Sequence, residues 1–148
     1  MEIRFFKESD FETFAAWFAD EKLNTELGPM DQEWLDCILA EEPPSQFACL
    51  INNELVAVVG ICHPAKNESD NHFVITDIAV APKLKRTGLG SKALREVIKH
   101  VNPTHSWLAY VDHENVQAQQ FFQSQGWEID KEKTESAKDM VCFCRNQL

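Results

Sequence analysis

The chain has 148 residues, the length of one domain, too short to build two cores of ordinary size. Apolar residues make up 44% and charged residues 26%, which excludes the intrinsically disordered, collagen-like and coiled-coil classes. Lys and Arg number 14 against 24 Asp and Glu, a formal net charge of −10 that repels nucleic-acid phosphates and suits either solubility or cationic small molecules. No stretch approaches the roughly 18 consecutive apolar residues of a membrane span, so no membrane partner is expected. Met1-Glu2-Ile3-Arg4 does not open the basic-then-apolar pattern of a secretory leader. The five Cys have no metal-knuckle spacing, and Cys142-x-Cys144 marks alternate positions of a strand. They read as reduced, mostly buried thiols of a cytoplasmic protein without a metal site.

In chain order, Ile3, Phe5 and Phe6 predict a short opening strand. Ser9 and Glu12 have capping-box spacing, which satisfies backbone donors at a helix start, and Phe11, Phe14, Ala15 and Phe18 follow at helical spacing until Gly28-Pro29. Asp31 starts a second helix through Trp34, Leu35, Ile38 and Leu39, which ends before Pro43-Pro44. The period then changes. Residues 47–51 and 55–59 are β-rich runs around Asn52-Asn53-Glu54, the signature of a tight antiparallel hairpin. Residues 66–71 form a polar loop, and His72 to Val80 is an apolar, β-branched run stopped by Pro82. A helix from about Gly88 puts Leu89, Ala93, Leu94, Val97, Ile98 and Val101 on one face. Trp107 to Val111 reads as a strand, and Asn115 to Gln125 as a helix closed by Gly126. Final strands follow near 127–129 and 140–144. This order, β-α-α-β-β-β-α-β-α-β-β, predicts an α/β (α+β) domain over 1–148, a mixed sheet with helices on both faces.

Residues 78–95 carry the chemistry. A strand ends at Pro82, a basic loop follows, and Gly88 and Gly90 open an amphipathic helix. Glycines permit close backbone approach, and helix-start amides point outward with the positive end of the dipole, an arrangement suited to phosphate or pyrophosphate. Lys83, Lys85, Arg86, Lys92, Arg95 and Lys99 place six of the 14 basic residues within seventeen positions, opposed only by Glu96. The alternative is a solvated basic helix face after a glycine turn. Gly88-x-Gly90-x-x-Ala93 superficially fits a dinucleotide fingerprint, but an antiparallel hairpin precedes the strand and Pro82 separates strand from glycine. Gly90-Ser91-Lys92 reverses the order that a P-loop requires.

This segment resembles the acetyl-CoA-binding motif of the GNAT N-acetyltransferase superfamily, Arg/Gln-x-x-Gly-x-Gly/Ala after a strand ending Val-x-Pro. Val80-Ala81-Pro82 matches the strand end and Lys85-Arg86-Thr87-Gly88-Leu89-Gly90 the loop, with Lys85 where the family prefers Arg or Gln. Asn115-x-x-Ala118-x-x-x-Phe122-x-x-x-Gly126-Trp127 is similar to the family's Asn-x-x-Ala-x-x-x-Tyr-x-x-x-Gly-Phe helix. The resemblance implies a mostly antiparallel sheet of six or seven strands and an acetyl-CoA-dependent N-acetyltransferase acting on a primary amine by direct attack. It implies that the pantetheine arm pairs with the backbone of Ile78, Ala79 and Val80 as an added strand, with the sheet splayed there. It places the pyrophosphate on amides from Arg86 to Ser91, Leu89 and Gly90 included, and Asn115 against the pantetheine arm.

Direct attack needs a neutral amine, and an amine near pKa 10.4 is only about 0.04% neutral at pH 7. Asp77, an acid inside an apolar strand, is the first candidate base, with a capped structural carboxylate as the alternative. His113 and Glu114 are further candidates for that role, or simply loop and helix-cap residues. The main departure is Phe122, where the family often has a Tyr that protonates the leaving sulfur. The only tyrosine is Tyr110, a candidate for that task, while Phe122 is expected to pack against the acyl or pantetheine arm. The acceptor is expected along Trp17 to Leu39, where Asp20, Glu21, Glu26, Asp31, Glu33 and Asp36 suit a cationic amine. The runner-up reading is a non-catalytic acyl-CoA-binding or sensor domain acting through a homodimer.

Overall fold

The computed structural model describes residues 1–65 and 72–145, so the polar loop expected at 66–71 lies outside the described residues. Among these residues seven strands make one mixed sheet: β1 (Glu2–Phe5), β2 (Gln46–Ile51), β3 (Glu54–Cys62), β4 (Phe73–Val80), β5 (Trp107–Asp112), β6 (Glu128–Ile129) and β7 (Met140–Arg145). Their order is β1-β2-β3-β4-β5-β7-β6. β4 and β5 pair in parallel, whereas β1–β2, β2–β3, β5–β7 and β6–β7 are antiparallel. Among the described residues six α-helices accompany them: α1 (Phe11–Ala16), α2 (Glu21–Leu27), α3 (Gln32–Ala40), α4 (Leu89–Val101), α5 (Val116–Ser124) and α6 (Lys131–Ser136). The mixed, mostly antiparallel sheet expected from the sequence is therefore present. Among the described residues no helix is long and apolar enough to cross a membrane.

The chain forms two compact units, one of residues 1–60 and 77–101, the other of 61–76 and 102–148. The first is built on an aromatic core. Phe14, 2% exposed, meets Phe6, Trp17 and Phe18 edge-on at 5.5, 5.3 and 5.1 Å between ring centroids. Leu23, Leu35, Ile38, Ala48, Leu50, Val58, Ala79 and Ala81 complete the cluster. The hairpin forms as expected, with Asn52 and Asn53 both left-handed (φ 52° and 64°), the conformation that a tight two-residue turn demands. Asp31 caps α3 by accepting the Trp34 amide at 3.0 Å, again as expected.

Two N-terminal expectations need correction. The helix expected from Ser9 to Gly28 is broken: a 3-10 turn at Trp17–Ala19 follows α1, and Asp20, extended at φ −69° and ψ 119°, caps a separate α2. The first cap is also shifted. The helical start lies at Lys7, the N-cap of a 3-10 turn over Glu8–Asp10, and Asp10 at the third position of that turn accepts the Lys7 amide at 2.8 Å and both Arg4 guanidinium nitrogens at 2.8 Å. A carboxylate makes the stronger acceptor here because its charge-assisted bonds also neutralise Arg4.

Burial pulls the Asp10 carboxyl up, but the Arg4 hydrogen bonds and the Lys7 amide together hold it below its ordinary value. A carboxyl depressed on folding stabilises the native state above its unfolded value, and that contribution is lost as pH falls through the folded value. Asp10→Asn is expected to show a shallower loss of stability than wild type below about pH 4 in urea melts. Identical acid limbs would contradict that assignment.

In the second unit Trp107, fully buried, stacks on Phe73 at 4.6 Å, and Phe122 stacks on Phe143 at 5.8 Å with Trp127 at 5.0 Å. Gly126 (φ +84°) closes α5 as the sequence predicts. Helix α6 is an addition that the apolar periodicity does not show, because Lys131–Ser136 contains no apolar residue. Its start is secured by Asp130, which accepts the Lys133 amide at 2.9 Å, and Thr134 accepts the Cys142 amide at 3.0 Å. The cysteines are free, but only Cys49 and Cys142 are fully buried, their thiols pushed up by burial to about 12 and about 11. Cys37 and Cys62 are exposed, against expectation.

Candidate functional site

The end of β4 leads directly into the loop singled out by the sequence. Strand alternation gives Asp77 the same face as the buried Ala79, and Asp77 is half-buried. The ladder to β5 has its last rung at Ile75 and Ala109, so Ile78, Ala79 and Val80 lie beyond it along the strand. The Ala81 amide donates to the Val56 carbonyl at 2.9 Å, tying the strand end to β3. Pro82–Leu84 then makes a 3-10 turn, closed by Leu84 donating to the Ala81 carbonyl at 2.8 Å, and Leu84 packs against the aromatic core. The loop base is thus anchored by packing and by backbone bonds.

Above that base the backbone turns sharply. Arg86 has φ +63° and Gly88 φ +80°, with Thr87 between them donating its hydroxyl to the Leu84 carbonyl. Left-handed backbone costs a non-glycine residue roughly 1–2 kcal/mol, and such residues concentrate at ligand sites. Alternation of this kind aims successive amides into a concavity that attracts anions. Helix α4 follows from Leu89, and Lys92 donates to the Gly88 carbonyl at 3.1 Å, so the helix-start amides precede the intrahelical ladder. A Cβ built on Gly88 meets nothing within 4 Å, leaving that side of the loop open.

Charge agrees with backbone geometry. Lys83, Lys85, Arg86, Lys92, Arg95 and Lys99 are all exposed, while Ala93, Leu94, Val97 and Ile98 bury the other face of α4. Lys85 reaches Asp20, its ammonium 3.4 Å from Oδ1. The same Oδ1 accepts the Leu23 amide at 3.0 Å as the cap of α2. That amide chiefly holds the Asp20 carboxyl below its ordinary value; desolvation opposes it and Lys85 adds to it. Sequence reading placed Asp20 among acceptor-side acids and did not show this pair, whose members are 65 residues apart. The left-handed Arg86 is likewise invisible in composition, since only Gly and Asn advertise that conformation.

Residues 78–91 are contiguous in the first unit. Tyr110, Asn115 and Phe122 belong to the second. Tyr110 is 40% exposed on β5, opposite Cys142 in the ladder, and its hydrogen bond pulls that thiol down against burial. Asn115 is half-buried, and its side-chain oxygen accepts the Ala118 amide at 3.1 Å as the cap of α5. Phe122 is 6% exposed within the Trp127–Phe143 packing. His113 and Glu114 lie in the exposed turn before α5, where the Glu114 amide donates to Asp112 at 2.8 Å. His72, immediately before β4, bonds Ser106 at 2.6 Å. Glu21, Glu26, Asp31, Glu33 and Asp36 are exposed along α2 and α3.

The chain matches the model of the acetyltransferase (GNAT) family over residues 11–127. No curated protein matches it. Among solved structures it is similar to an acetyltransferase from Thermus thermophilus, at 16% identity and TM-score 0.75, covering 97% of this chain and 95% of that one. Ard1 from Thermoplasma volcanium is similar at 18% identity and TM-score 0.71, covering 99% and 97%. The PaiA N-acetyltransferase from Thermoplasma acidophilum, solved in complex with coenzyme A, is similar at 13% identity and TM-score 0.68, covering 99% and 98%. At these identities the likeness concerns the fold.

Proposed function

The chain belongs to the acetyltransferase (GNAT) family, an acyltransferase family that uses acyl-CoA, and from that premise we propose that it transfers acetyl from acetyl-CoA to a primary amine by direct attack. The observation that carries this reading is the β4–loop–α4 segment, with its left-handed Arg86 and Gly88, open glycine face and exposed basic residues. In this reading amides from Arg86 to Ser91, with Thr87, Leu89 and Gly90 among them, bind the pyrophosphate, and Lys85 adds charge. The pantetheine arm lies along the backbone of Ile78, Ala79 and Val80. Asn115 holds the arm through its side-chain amide. Phe122 packs against the acyl or pantetheine arm.

Asp77 takes the ammonium proton so that nitrogen can attack the thioester carbonyl. The C–N bond forms, the C–S bond breaks, Tyr110 protonates the leaving sulfur, and the second proton shed by the acylated nitrogen passes through solvent to restore Tyr110. Because a simple thiol ionises near pKa 8.5, the thiolate leaves without much help. Tyr110→Phe is therefore expected to lower kcat by less than about tenfold, below the usual range for a general acid. A loss of a thousandfold would make Tyr110 the principal proton donor instead.

The acidic surface of α2 and α3 supports a cationic acceptor, drawn in by the net charge of −10. The reading is tested by incubating the protein with acetyl-CoA and a panel of polyamines, aminoglycosides and peptide amines. A product heavier by one acetyl group is the expected result. Phe122, buried where the family often has Tyr, favours a second reading as an acyl-CoA sensor, which would bind the donor yet acetylate no amine.

A further inference from the structure

We infer that Asp20 sets the donor affinity of the loop by competing with the donor's phosphates for the Lys85 ammonium. The inference rests on reading residues 85–91 as the pyrophosphate site. Lys85 stands at the first position of that loop in extended backbone (φ −60°, ψ 148°), and its ammonium is turned to Asp20 Oδ1 at 3.4 Å. Asp20 is not a passing surface partner. Its Oδ1 is fixed by the Leu23 amide at 3.0 Å, so the start of α2 holds a carboxylate at the mouth of the loop.

Lysine is a point charge on a flexible stem, and an ion pair this exposed exchanges readily. A phosphate arriving at the loop must draw Lys85 away from Asp20. The gain from Lys85 is then the difference between two ion pairs rather than the whole of one. A carboxylate built into a helix cap thereby lowers donor affinity without touching the donor.

Asp20→Asn isolates the charge, because Asn caps a helix as well as Asp and keeps an oxygen for the Leu23 amide. Asp20→Ser, another good cap, serves as the second variant. CoA affinity is measured by calorimetry at low salt for wild type, Asp20→Asn, Asp20→Ser, Lys85→Met and the Asp20→Asn/Lys85→Met double variant, with thermal melts alongside. Both Asp20 variants are expected to bind CoA about two- to fivefold tighter at unchanged Tm, in keeping with an exposed pair. In the Lys85→Met background the gain should vanish. Equal affinity in wild type and both Asp20 variants overturns the inference while leaving the loop intact. A gain that persists in full without Lys85 also overturns it, since simple repulsion by Asp20 would then suffice. Wild type that binds no CoA overturns the pyrophosphate reading and the inference with it.

Discussion

Gly88→Val leaves the protein folded and weakens CoA binding by at least about tenfold, a loss of about 1.4 kcal/mol or more. The reason is local. At φ +80° a β-branched residue is strained, and the built Cβ meets no protein atom within 4 Å. The cost to stability is therefore backbone strain alone, roughly 1–2 kcal/mol. The added methyl groups instead fill the open side of the loop, where phosphate oxygens have to come within about 2.9 Å of the amides. Gly126 provides the control, because it too has a positive φ (+84°) and open space at its Cβ. Gly126→Val should cost similar stability and leave CoA affinity unchanged. Calorimetry and melts of the two variants separate the effects, and equal CoA affinity for Gly88→Val and wild type would remove the loop from donor binding.

Asp77→Asn is expected to lower kcat about 100-fold or more, the usual scale for a lost general base, while CoA affinity stays within about twofold of wild type. Asp77 is the only carboxyl in Phe73–Val80, and it is half-buried on a strand whose neighbouring inward positions, Ile75 and Ala79, are 4% and 1% exposed. The amide replaces it at nearly the same volume and keeps a hydrogen-bonding oxygen. What disappears is the ability to accept a proton. The acidic limb of the kcat/KM profile should flatten in the variant. A profile unchanged in height and shape would show that the amine loses its proton elsewhere, with His113 and Glu114 the next groups to test.

The parts of this fold that were legible in the sequence are those written in local chemistry. Asn52-Asn53 between two β-rich runs predicts the hairpin because both residues tolerate left-handed backbone, which they adopt. The apolar face of α4 is readable since Ala93, Leu94, Val97 and Ile98 recur at helical spacing and are buried. The basic loop is readable from charge and glycine alone. Other features depend on partners that periodicity does not encode. The break at Asp20 is hidden because apolar residues continue on both sides without Gly or Pro, and the one local sign, an Asp able to cap a helix, does not outweigh that continuity. Helix α6 has no apolar residue to register. The helical start at Lys7 is secured by Asp10 together with Arg4 arriving from β1, and the Asp20–Lys85 pair depends on two segments meeting across 65 positions. The ring contacts of Phe122 with Trp127 and Phe143 likewise depend on segments that meet only in the folded chain.

The claim that this chain uses acetyl-CoA rests on the loop, so the most direct test is calorimetric titration of the purified protein with acetyl-CoA, with NADPH as the control nucleotide. Micromolar, one-to-one binding of acetyl-CoA and none of NADPH is the expected result. No heat with acetyl-CoA, or equal binding of both ligands, would contradict it: the first would deny the loop its donor, and the second would reduce it to a general anion site.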